Sequence, residues 1–340
     1  MKLCLFYPEG HAAHAEYGHV ERPERVEVIR KTLTRVGLWG DSRQVTAVAI
    51  EQPVLEAVHS SDYLSLLERA CRRGGHLDAD TYVTKASWQL ALQAAGGAAA
   101  VAQEVWHRQV DTGLALCRPP GHHAMRGQGM GFCLMNNIAV AAEQLIQQES
   151  AQRLAIVDLD LHHGNGTQDV FWERRDVLFI STHQRPLYPG SGSLQERGRG
   201  GGEGYTANFP MPPGSGDTAF RAVMEQAILP LLERFAPEMI LVSYGFDIHW
   251  REPLGHLLVT AGGYANLIAS LLKFAQQHCQ GRMALVLEGG YDLEAAAACT
   301  LGVVNALSEQ PWQDPLGAAP YEETEQWQDM LRQAKTIWGL

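Results

Sequence analysis

Five side chains that can bind a metal or transfer a proton stand within eight residues of one another. They belong to the segment VDLDLHHGNGTQDVF, residues 157–171, and are Asp158, Asp160, His162, His163 and Asn165. Residues i and i+2 of an extended chain share a face, so Asp158, Asp160 and His162 are predicted to point in one direction. Carboxylates with an imidazole suit zinc, with Fe(II), Co(II) and Mn(II) as alternatives.

Three other polar segments follow apolar runs in the same way. They are RPPGHHA at residues 118–124, SYGFDIH at 243–249 and LEGGYD at 287–292. In open α/β sheets, ligands bind beyond the carboxyl ends of the strands, so the four segments are expected to meet at one site. Asp247 is the natural third ligand of a catalytic zinc, which keeps one position open for water.

Nearby histidines have a simpler interpretation. A single histidine at a strand end is usually a polar residue with its hydrogen bonds satisfied. Carboxylates close to the histidine are what favour a metal site. His163 points opposite to His162 along the chain and is predicted to be structural. His249 and His256 follow Asp247 and are predicted to lie at the rim or on the surface.

Apolar runs alternate with helical patterns along the chain. The predicted strands are Leu3–Tyr7, Thr112–Leu116, Arg153–Leu159, Val177–Ser181, Met239–Ser243 and Met283–Leu287. The predicted helices are Glu24–Arg35, Asp62–Arg73, Ser87–Trp106, Asn136–Gln148, Asp217–Phe235, Tyr264–Gln277 and Leu293–Leu307, with another in 321–340. Nearly continuous apolar strands indicate a parallel sheet buried on both faces. We expect one α/β domain over residues 1–340, with a long Gly- and Pro-rich loop at 184–216.

Composition narrows the class of protein. The 340 residues carry a net charge of −11 and contain no run of five basic residues, so a nucleic-acid partner is not expected. The six cysteines are scattered without a CxxC pair, which indicates reduced thiols and a cytoplasmic location. The sequence has no run of about 18 apolar residues, so no membrane span is predicted.

Taken together, these segments resemble the histone deacetylase and acetylpolyamine amidohydrolase superfamily. The resemblance also covers GHVERPERVEVI at residues 18–29, HSSDYL at 59–64 and GFCLMNNIAVAA at 131–142. It implies the arginase–deacetylase fold, a three-layer α/β/α arrangement around a mostly parallel sheet of about eight strands. It also implies a zinc-dependent hydrolase of acetyl-lysine or related acyl-lysine amides in proteins or peptides.

The resemblance assigns roles to individual residues. It implies the metal ligands Asp160, His162 and Asp247, and the catalytic residues His122, His123, Tyr291, Asp158 and Asn165. His123 is the expected general base and later acid, while His122 gives electrostatic support. Asp158 and Asn165 are their respective partners, and Tyr291 hydrogen-bonds the substrate carbonyl. The family often has Asp at the position of Asn165, and an amide stabilises an imidazolium less than a carboxylate does.

Other matches describe the substrate channel and bound cations. The implied substrate-binding residues are Gly131, Phe132, Tyr188, Asp80, Leu254, Gly289 and Gly290, with Arg25 at an inner exit channel. Potassium is expected near Asp158, Asp160, His162, Ser181 and Thr182, and at a second site near Phe171, Arg174, Val177 and Tyr205. Leu254 stands where polyamine-selective members carry a gatekeeper Glu, which weakens a polyamine interpretation.

The sequence leaves alternatives to an acyl-lysine hydrolase. The first is a deacetylase of N-acetylated polyamines or other small amines. An arginase-like dimanganese enzyme would need a second bridging carboxylate, and the chain has Gly164 in that place. A non-catalytic binding module would be expected to have lost a ligand, His123 or Tyr291. The oligomeric state, the acyl-chain preference and the physiological metal are left open by the sequence.

Overall fold

The computed structural model describes residues 2–308 and 312–340. The strands in these ranges are β1 (Leu3–Phe6), β2 (Arg43–Val45), β3 (Gly75–His76), β4 (Tyr82–Val83), β5 (Thr112–Ala115), β6 (Leu154–Asp158), β7 (Val177–Gln184), β8 (Thr206–Met211), β9 (Met239–Tyr244) and β10 (Met283–Leu287). Eight of these described strands form one parallel sheet in the order β2-β1-β5-β10-β9-β6-β7-β8. The other two, β3 and β4, form an antiparallel hairpin.

Helices occupy the connections between the strands. They are α1 (Glu24–Arg35), α2 (Leu38–Asp41), α3 (Gln52–Val58), α4 (Ser61–Arg73), α5 (Ser87–Trp106), α6 (Asn137–Glu149), α7 (Asn165–Phe171), α8 (Asp217–Val223), α9 (Leu229–Phe235), α10 (Ala261–His278), α11 (Leu293–Ser308) and α12 (Trp327–Trp338). Side-chain caps fix several of their starts. Asn136 and Thr260, for example, accept hydrogen bonds from backbone N–H groups of the first turns of α6 and α10.

Alternate residues of the six inner strands of the sheet enter two separate hydrophobic clusters. On β10, Leu285 belongs to the cluster that contains residues of α1 and α10, and Val286 to the cluster that contains residues of α5 and α6. The central strands are apolar at nearly every position because both of their faces are covered by helices. The sheet therefore lies between two helical layers, which confirms the predicted α/β class.

Sequence reasoning missed the short hairpin β3–β4 and the two edge strands of the sheet, β2 and β8. β2 is short and mostly exposed, and β8 contains Pro210 and pairs only with β7. Proline and polar residues are tolerated at edges because one side of an edge strand needs no ladder hydrogen bonds. The loop predicted over residues 184–216 is therefore wrong in its last third, where β8 lies.

One predicted helix is irregular. The single helix predicted over Asp217–Phe235 is instead α8, a π-helical turn at Met224–Ile228 and α9, which has Pro230 in its first turn. A π turn absorbs the backbone disruption that a proline causes in a continuous helix. No helix among the described residues is long and apolar enough to cross a membrane.

Candidate active site

The four polar segments meet at the carboxyl ends of the central strands. Strands β5, β10, β9 and β6 are consecutive neighbours and all parallel, so their carboxyl ends lie side by side. Asp158, the last residue of β6, is in register with Ser243 of β9. Residues far apart in sequence are thus brought together at the position expected for ligand binding in an open α/β sheet.

Three of these side chains converge on a single point. Ligand atoms of Asp160, His162 and Asp247 all lie within 4.8 Å of one another, and all three residues are buried. Nδ1 of His162 is 3.3 Å from Oδ1 of Asp160 and 3.4 Å from Oδ2 of Asp247. Two carboxylates and one imidazole are a donor set that suits a catalytic zinc or Fe(II).

One ligand atom of this group accepts no hydrogen bond from the described residues. Oδ2 of Asp247 is buried and receives no hydrogen bond from the described residues, whereas Oδ1 accepts one from the backbone N–H of Leu161. Burial and the neighbouring Asp160 raise the pKa of Asp247 to about 6. Two buried carboxylates repel each other, and a divalent cation between them would remove that cost. The residues present therefore fit a divalent metal.

Glycines allow the backbone to approach these carboxylates. A Cβ atom on Gly245 would overlap Oδ2 of Asp160, and a Cβ on Gly289 would overlap Oδ2 of Asp247. The N–H of Gly289 instead donates a hydrogen bond of 2.8 Å to Asp160. Glycine at these positions therefore maintains the spacing of the two carboxylates.

The adjacent histidines His122 and His123 have different environments. Nδ1 of His122 is 3.0 Å from Oδ2 of Asp158, and Nδ1 of His123 is 2.7 Å from Oδ1 of Asn165. Burial opposes protonation of His122, but Asp160 and Asp158 outweigh it and raise its pKa to about 10. Burial, together with the charge of His122, lowers the pKa of His123 well below its ordinary value. His122 is thus favoured as a cation and His123 as a neutral base.

Tyr291 lies on the loop after β10. The guanidinium carbon of Arg25 is 4.7 Å from the centre of the Tyr291 ring, and the N–H of Tyr291 donates to Glu252. Arg25 is fully buried and donates to the carbonyls of Glu288 and Gly290. The residue predicted for an exit channel therefore braces the backbone that carries Tyr291.

Sequence reasoning missed the buried ion network behind the site. Both oxygens of Glu21 accept hydrogen bonds from Arg118, at 2.8 and 2.9 Å, and Oε1 also accepts one from Arg25. Glu288 accepts from the backbone N–H groups of Gly121 and His122. These residues stand inside the quoted motifs, but only Glu288 had a local signal, as a charged residue between an apolar strand and two glycines.

Aromatic residues line the approach to the histidines. The ring of Tyr188 packs edge-on against His123 with centroids 5.2 Å apart, and Phe132 packs edge-on against Tyr291 at 5.8 Å. Gly131 lies against His123 and Tyr188, since a Cβ there would reach both side chains. Phe132 and Tyr188 thus contact different members of the site, as the two walls of a channel would.

The other predicted channel residues lie further out. Asp80 is exposed in the turn between β3 and β4, and its carbonyl is 3.1 Å from Nε2 of His19. Leu254 is half-buried against the larger hydrophobic cluster, and its neighbour Pro253 lines an open cavity of about 700 Å³ that Tyr291 also lines. Tyr291 is the one predicted catalytic residue among the lining residues, so the cavity adjoins the site.

The residues predicted to bind potassium are neighbours in the structure. Ser181 of β7 pairs in register with Asp158, and Thr182 donates a hydrogen bond to the carbonyl of Asp158. Both are buried beneath the carboxylate cluster.

The structure shows the environments of His163 and His249, whose positions were predicted from the sequence. His163 is buried and lies within hydrogen-bonding distance of Ser191 and Gln168, away from the carboxylates, as expected for a structural residue. His249 was predicted at the rim or surface, and this is wrong, because it is 1% exposed. The turn after β9 folds back over it and pairs His249 with Val259.

The chain is similar to known proteins over most of its length. Residues 19–307 match the family model of the histone deacetylase domain. The chain is 42% identical over 294 residues to a probable deacetylase of Archaeoglobus fulgidus, covering 85% of this chain and 81% of that protein. It is 35% identical to a histone deacetylase-like amidohydrolase of Pseudomonas aeruginosa, covering 90% and 84% of the two chains.

A solved structure supports the same conclusion. The crystal structure of the HDA15 HD domain superposes with a TM-score of 0.88 at 33% identity, covering 98% of this chain and 95% of that one. The likeness confirms the predicted arginase–deacetylase architecture. The family match and the relatives together show that this chain belongs to the histone deacetylase family of deacetylases and amidohydrolases.

Proposed function

We propose that this protein is a zinc-dependent deacylase that hydrolyses the amide of acetyl-lysine, or a related acyl-lysine, in proteins or peptides. The observation that carries the proposal is the convergence of Asp160, His162 and Asp247, with an Oδ2 of Asp247 that accepts no hydrogen bond from the described residues. A divalent metal held by these three residues would supply an activated water and polarise the substrate carbonyl.

The histidines divide the proton chemistry. The carbonyl oxygen of Asn165 can only accept, so Nδ1 of His123 carries a proton and Nε2 keeps its lone pair. His123 would take a proton from the attacking water and then give it to the leaving amine. His122, held as a cation by Asp158 and Asp160, would stabilise the negative charge that develops nearby.

Tyr291 would hydrogen-bond the substrate oxygen. Burial raises the pKa of its phenol well above the ordinary value, so the hydroxyl stays protonated and can donate. One well-placed donor to a developing oxyanion contributes on the order of 3 kcal/mol to catalysis. Arg25 and Glu252 hold the backbone and ring of Tyr291 in place.

The channel favours an acyl-lysine over an acetylated polyamine. Phe132 and Tyr188 would pack on the aliphatic part of the lysine, with Gly131 at the substrate nitrogen and Gly289 and Gly290 at the turn that carries Tyr291. Leu254 supplies no charge to select a distal ammonium. The open cavity of about 700 Å³ beside Tyr291 has room for peptide flanking the lysine.

One observation favours the second candidate, a small acetylated amine. Asp78 and Asp80 stand together in the turn between β3 and β4, where the N–H of Asp80 donates to Oδ1 of Asp78, and burial and Asp78 raise the pKa of Asp80. Such a pair could bind a distal ammonium group. The same turn would instead hold the backbone of a peptide substrate under the first proposal.

Potassium and the reducing compartment are further parts of the proposal. Asp158, Asp160, His162, Ser181 and Thr182 would bind one potassium ion, partly through backbone carbonyls. The six cysteines are all buried and unbridged, which supports a cytoplasmic location.

Substrate class is tested by comparing kcat/KM for an acetyl-lysine peptide and for N-acetylputrescine on the same zinc-loaded protein. The proposal predicts the higher value for the peptide. A clear preference for the diamine would favour the second candidate, and Asp80→Asn would then be expected to lower that preference. Turnover of neither substrate, with longer acyl-lysine peptides also inert, would contradict the proposed function.

A further inference from the structure

A second cavity lies at the amino ends of the strands, at the opposite end of the sheet from the candidate active site. It has a volume of about 370 Å³ and surrounds the amino ends of three strands. Arg153 directly precedes β6, Arg175 lies just before β7, and Tyr205 directly precedes β8. Strand β6 runs from this cavity to Asp158 at its carboxyl end, so the cavity and the candidate active site lie at opposite ends of the strand.

The walls of this cavity are strongly basic in an acidic protein. Four arginines line it, and the one acidic residue among its lining side chains is Glu203. The arginines are Arg153, Arg175, Arg197 and Arg234. The chain as a whole has a net charge of −11. A local excess of positive charge against that background favours an anionic ligand.

Several donors at the cavity are not used by the protein. Arg175 is exposed and makes no ion pair or side-chain hydrogen bond with any residue in the described ranges. Arg197 is paired with Glu203 at a long 3.8 Å, and its Nε is buried without an acceptor. The indole Nε1 of Trp338 is also buried without an acceptor in the described part of the chain. Arg175 thus offers a guanidinium that no side chain in the described ranges occupies, whereas the two buried donors have no exposed surface with which to reach a ligand.

The remaining walls are aromatic and apolar. The guanidinium of Arg197 lies over the ring of Trp338, with its central carbon 4.8 Å from the ring centre. Tyr205 and Phe235 pack edge-to-face with centroids 5.9 Å apart, next to the aliphatic side chain of Leu231. A hydrated inorganic anion would gain little from these surfaces, whereas a flat organic group would bury apolar area on them.

We propose that this cavity binds a small organic phosphate, namely a phosphate monoester with an aromatic or apolar body. Guanidinium groups pair with phosphate oxygens in a two-pronged geometry, and a dianion matches the excess of arginines over carboxylates. The aromatic walls receive the organic group. The volume falls in the range of small-molecule sites in proteins, roughly 300–1,000 Å³.

The proposal is tested by calorimetric titration of the zinc-loaded full chain with phenyl phosphate, with inorganic phosphate and phenol as comparison ligands. Potassium is kept constant, because Tyr205 also lies at the second proposed cation site. We expect saturable binding of phenyl phosphate with a Kd of about 1 mM or tighter. Inorganic phosphate and phenol should each bind roughly tenfold more weakly or worse.

Two arginine variants distinguish the cavity from general surface charge. Arg175→Gln should weaken phenyl phosphate binding roughly fivefold or more, since it removes an exposed guanidinium of the cavity wall. Arg199→Gln is the matched control, because Arg199 is exposed nearby, pairs with Glu173 and does not line the cavity. It should bind like the wild type.

Three results would overturn the proposal. The first is the absence of saturable phenyl phosphate binding, and the second is an equal loss of affinity in both variants. The third is an affinity for inorganic phosphate equal to that for phenyl phosphate, which would show that the aromatic walls contribute nothing. None of these measurements depends on deacylase activity, so the proposed function is tested independently.

Discussion

Nδ1 of His123 lies 2.7 Å from the amide oxygen of Asn165, while Nδ1 of its neighbour His122 lies 3.0 Å from a carboxylate oxygen of Asp158. The two histidines are adjacent in sequence and have centroids only 4.0 Å apart, yet they have different kinds of partner. A carboxylate stabilises an imidazolium, and a neutral amide does so less. The pair is therefore arranged as one cation and one neutral base.

This arrangement predicts the effect of Asn165→Asp on the pH profile. A carboxylate at this position would raise the pKa of His123, so the neutral base would be lost at a higher pH on acidification. The acid limb of the kcat/KM profile should move to higher pH, with zinc content unchanged. An acid limb that stays in place or moves to lower pH would show that His123 is not the base whose titration limits activity.

Tyr291→Phe should reduce turnover roughly tenfold or more, because it removes one hydroxyl donor to the developing oxyanion. The metal content should match that of the wild type. Tyr264→Phe is a suitable control, since Tyr264 is also buried and its hydroxyl has no partner among the described residues. Steady-state kinetics that show equal turnover in Tyr291→Phe and the control would rule out the proposed role.

Gly289→Ala should weaken metal binding and lower activity roughly tenfold or more, because its Cβ would displace Oδ2 of Asp247. Gly262→Ala serves as the control, since a Cβ there meets nothing closer than 3.5 Å. Zinc stoichiometry after dialysis, measured for both variants, checks the prediction. Normal zinc retention in Gly289→Ala would contradict the proposed spacing of the carboxylates.

Glu21→Gln should destabilise the fold by roughly 3–5 kcal/mol, because it leaves the buried guanidiniums of Arg25 and Arg118 without their carboxylate. Glu24→Gln, a substitution of an exposed residue of the same helix region, should change stability by less than about 0.5 kcal/mol. Urea unfolding at neutral pH measures both. A Glu21→Gln protein as stable as Glu24→Gln would show that the ion network is not needed.

The same carboxylate predicts acid sensitivity. Burial opposes ionisation of Glu21, but Arg118 and Arg25 outweigh it and lower its pKa from 4.5 to about 2. A depressed pKa in the folded state stabilises the fold above the unfolded-state pKa, and this contribution is lost as the pH falls from 4.5 towards 2. Over that window, wild-type stability should fall more steeply than that of Glu21→Gln. Parallel slopes would contradict this origin.

The buried parts of the fold were readable from the sequence for a simple reason. Runs such as Met283–Leu287 are apolar at every position because helices cover both faces, and no surface helix has that pattern. The edge strand Thr206–Met211 is largely buried but has a hydrogen-bonded neighbour strand on one side only. Its polar residues and Pro210 give the same local signal as a loop, so only the pairing with β7 reveals it.

The site shows the same division. Short-range spacing pointed to Asp160 and His162, and the strand-end rule to Asp247. The contact of Arg118 with Glu21 joins residues 97 positions apart and has no local pattern that could reveal it. The burial of His249 depends on a turn that folds back onto it, which residue types alone do not specify.

The central claim is that catalysis depends on a metal held by Asp160, His162 and Asp247. The most direct test follows acetate release from an acetyl-lysine peptide by the wild type after chelation and again after zinc is restored, with Asp247→Asn treated in parallel. We predict that activity is lost on chelation and returns with zinc in the wild type, and that Asp247→Asn recovers little. Undiminished turnover by the chelated wild type, or full recovery by Asp247→Asn, would contradict the account.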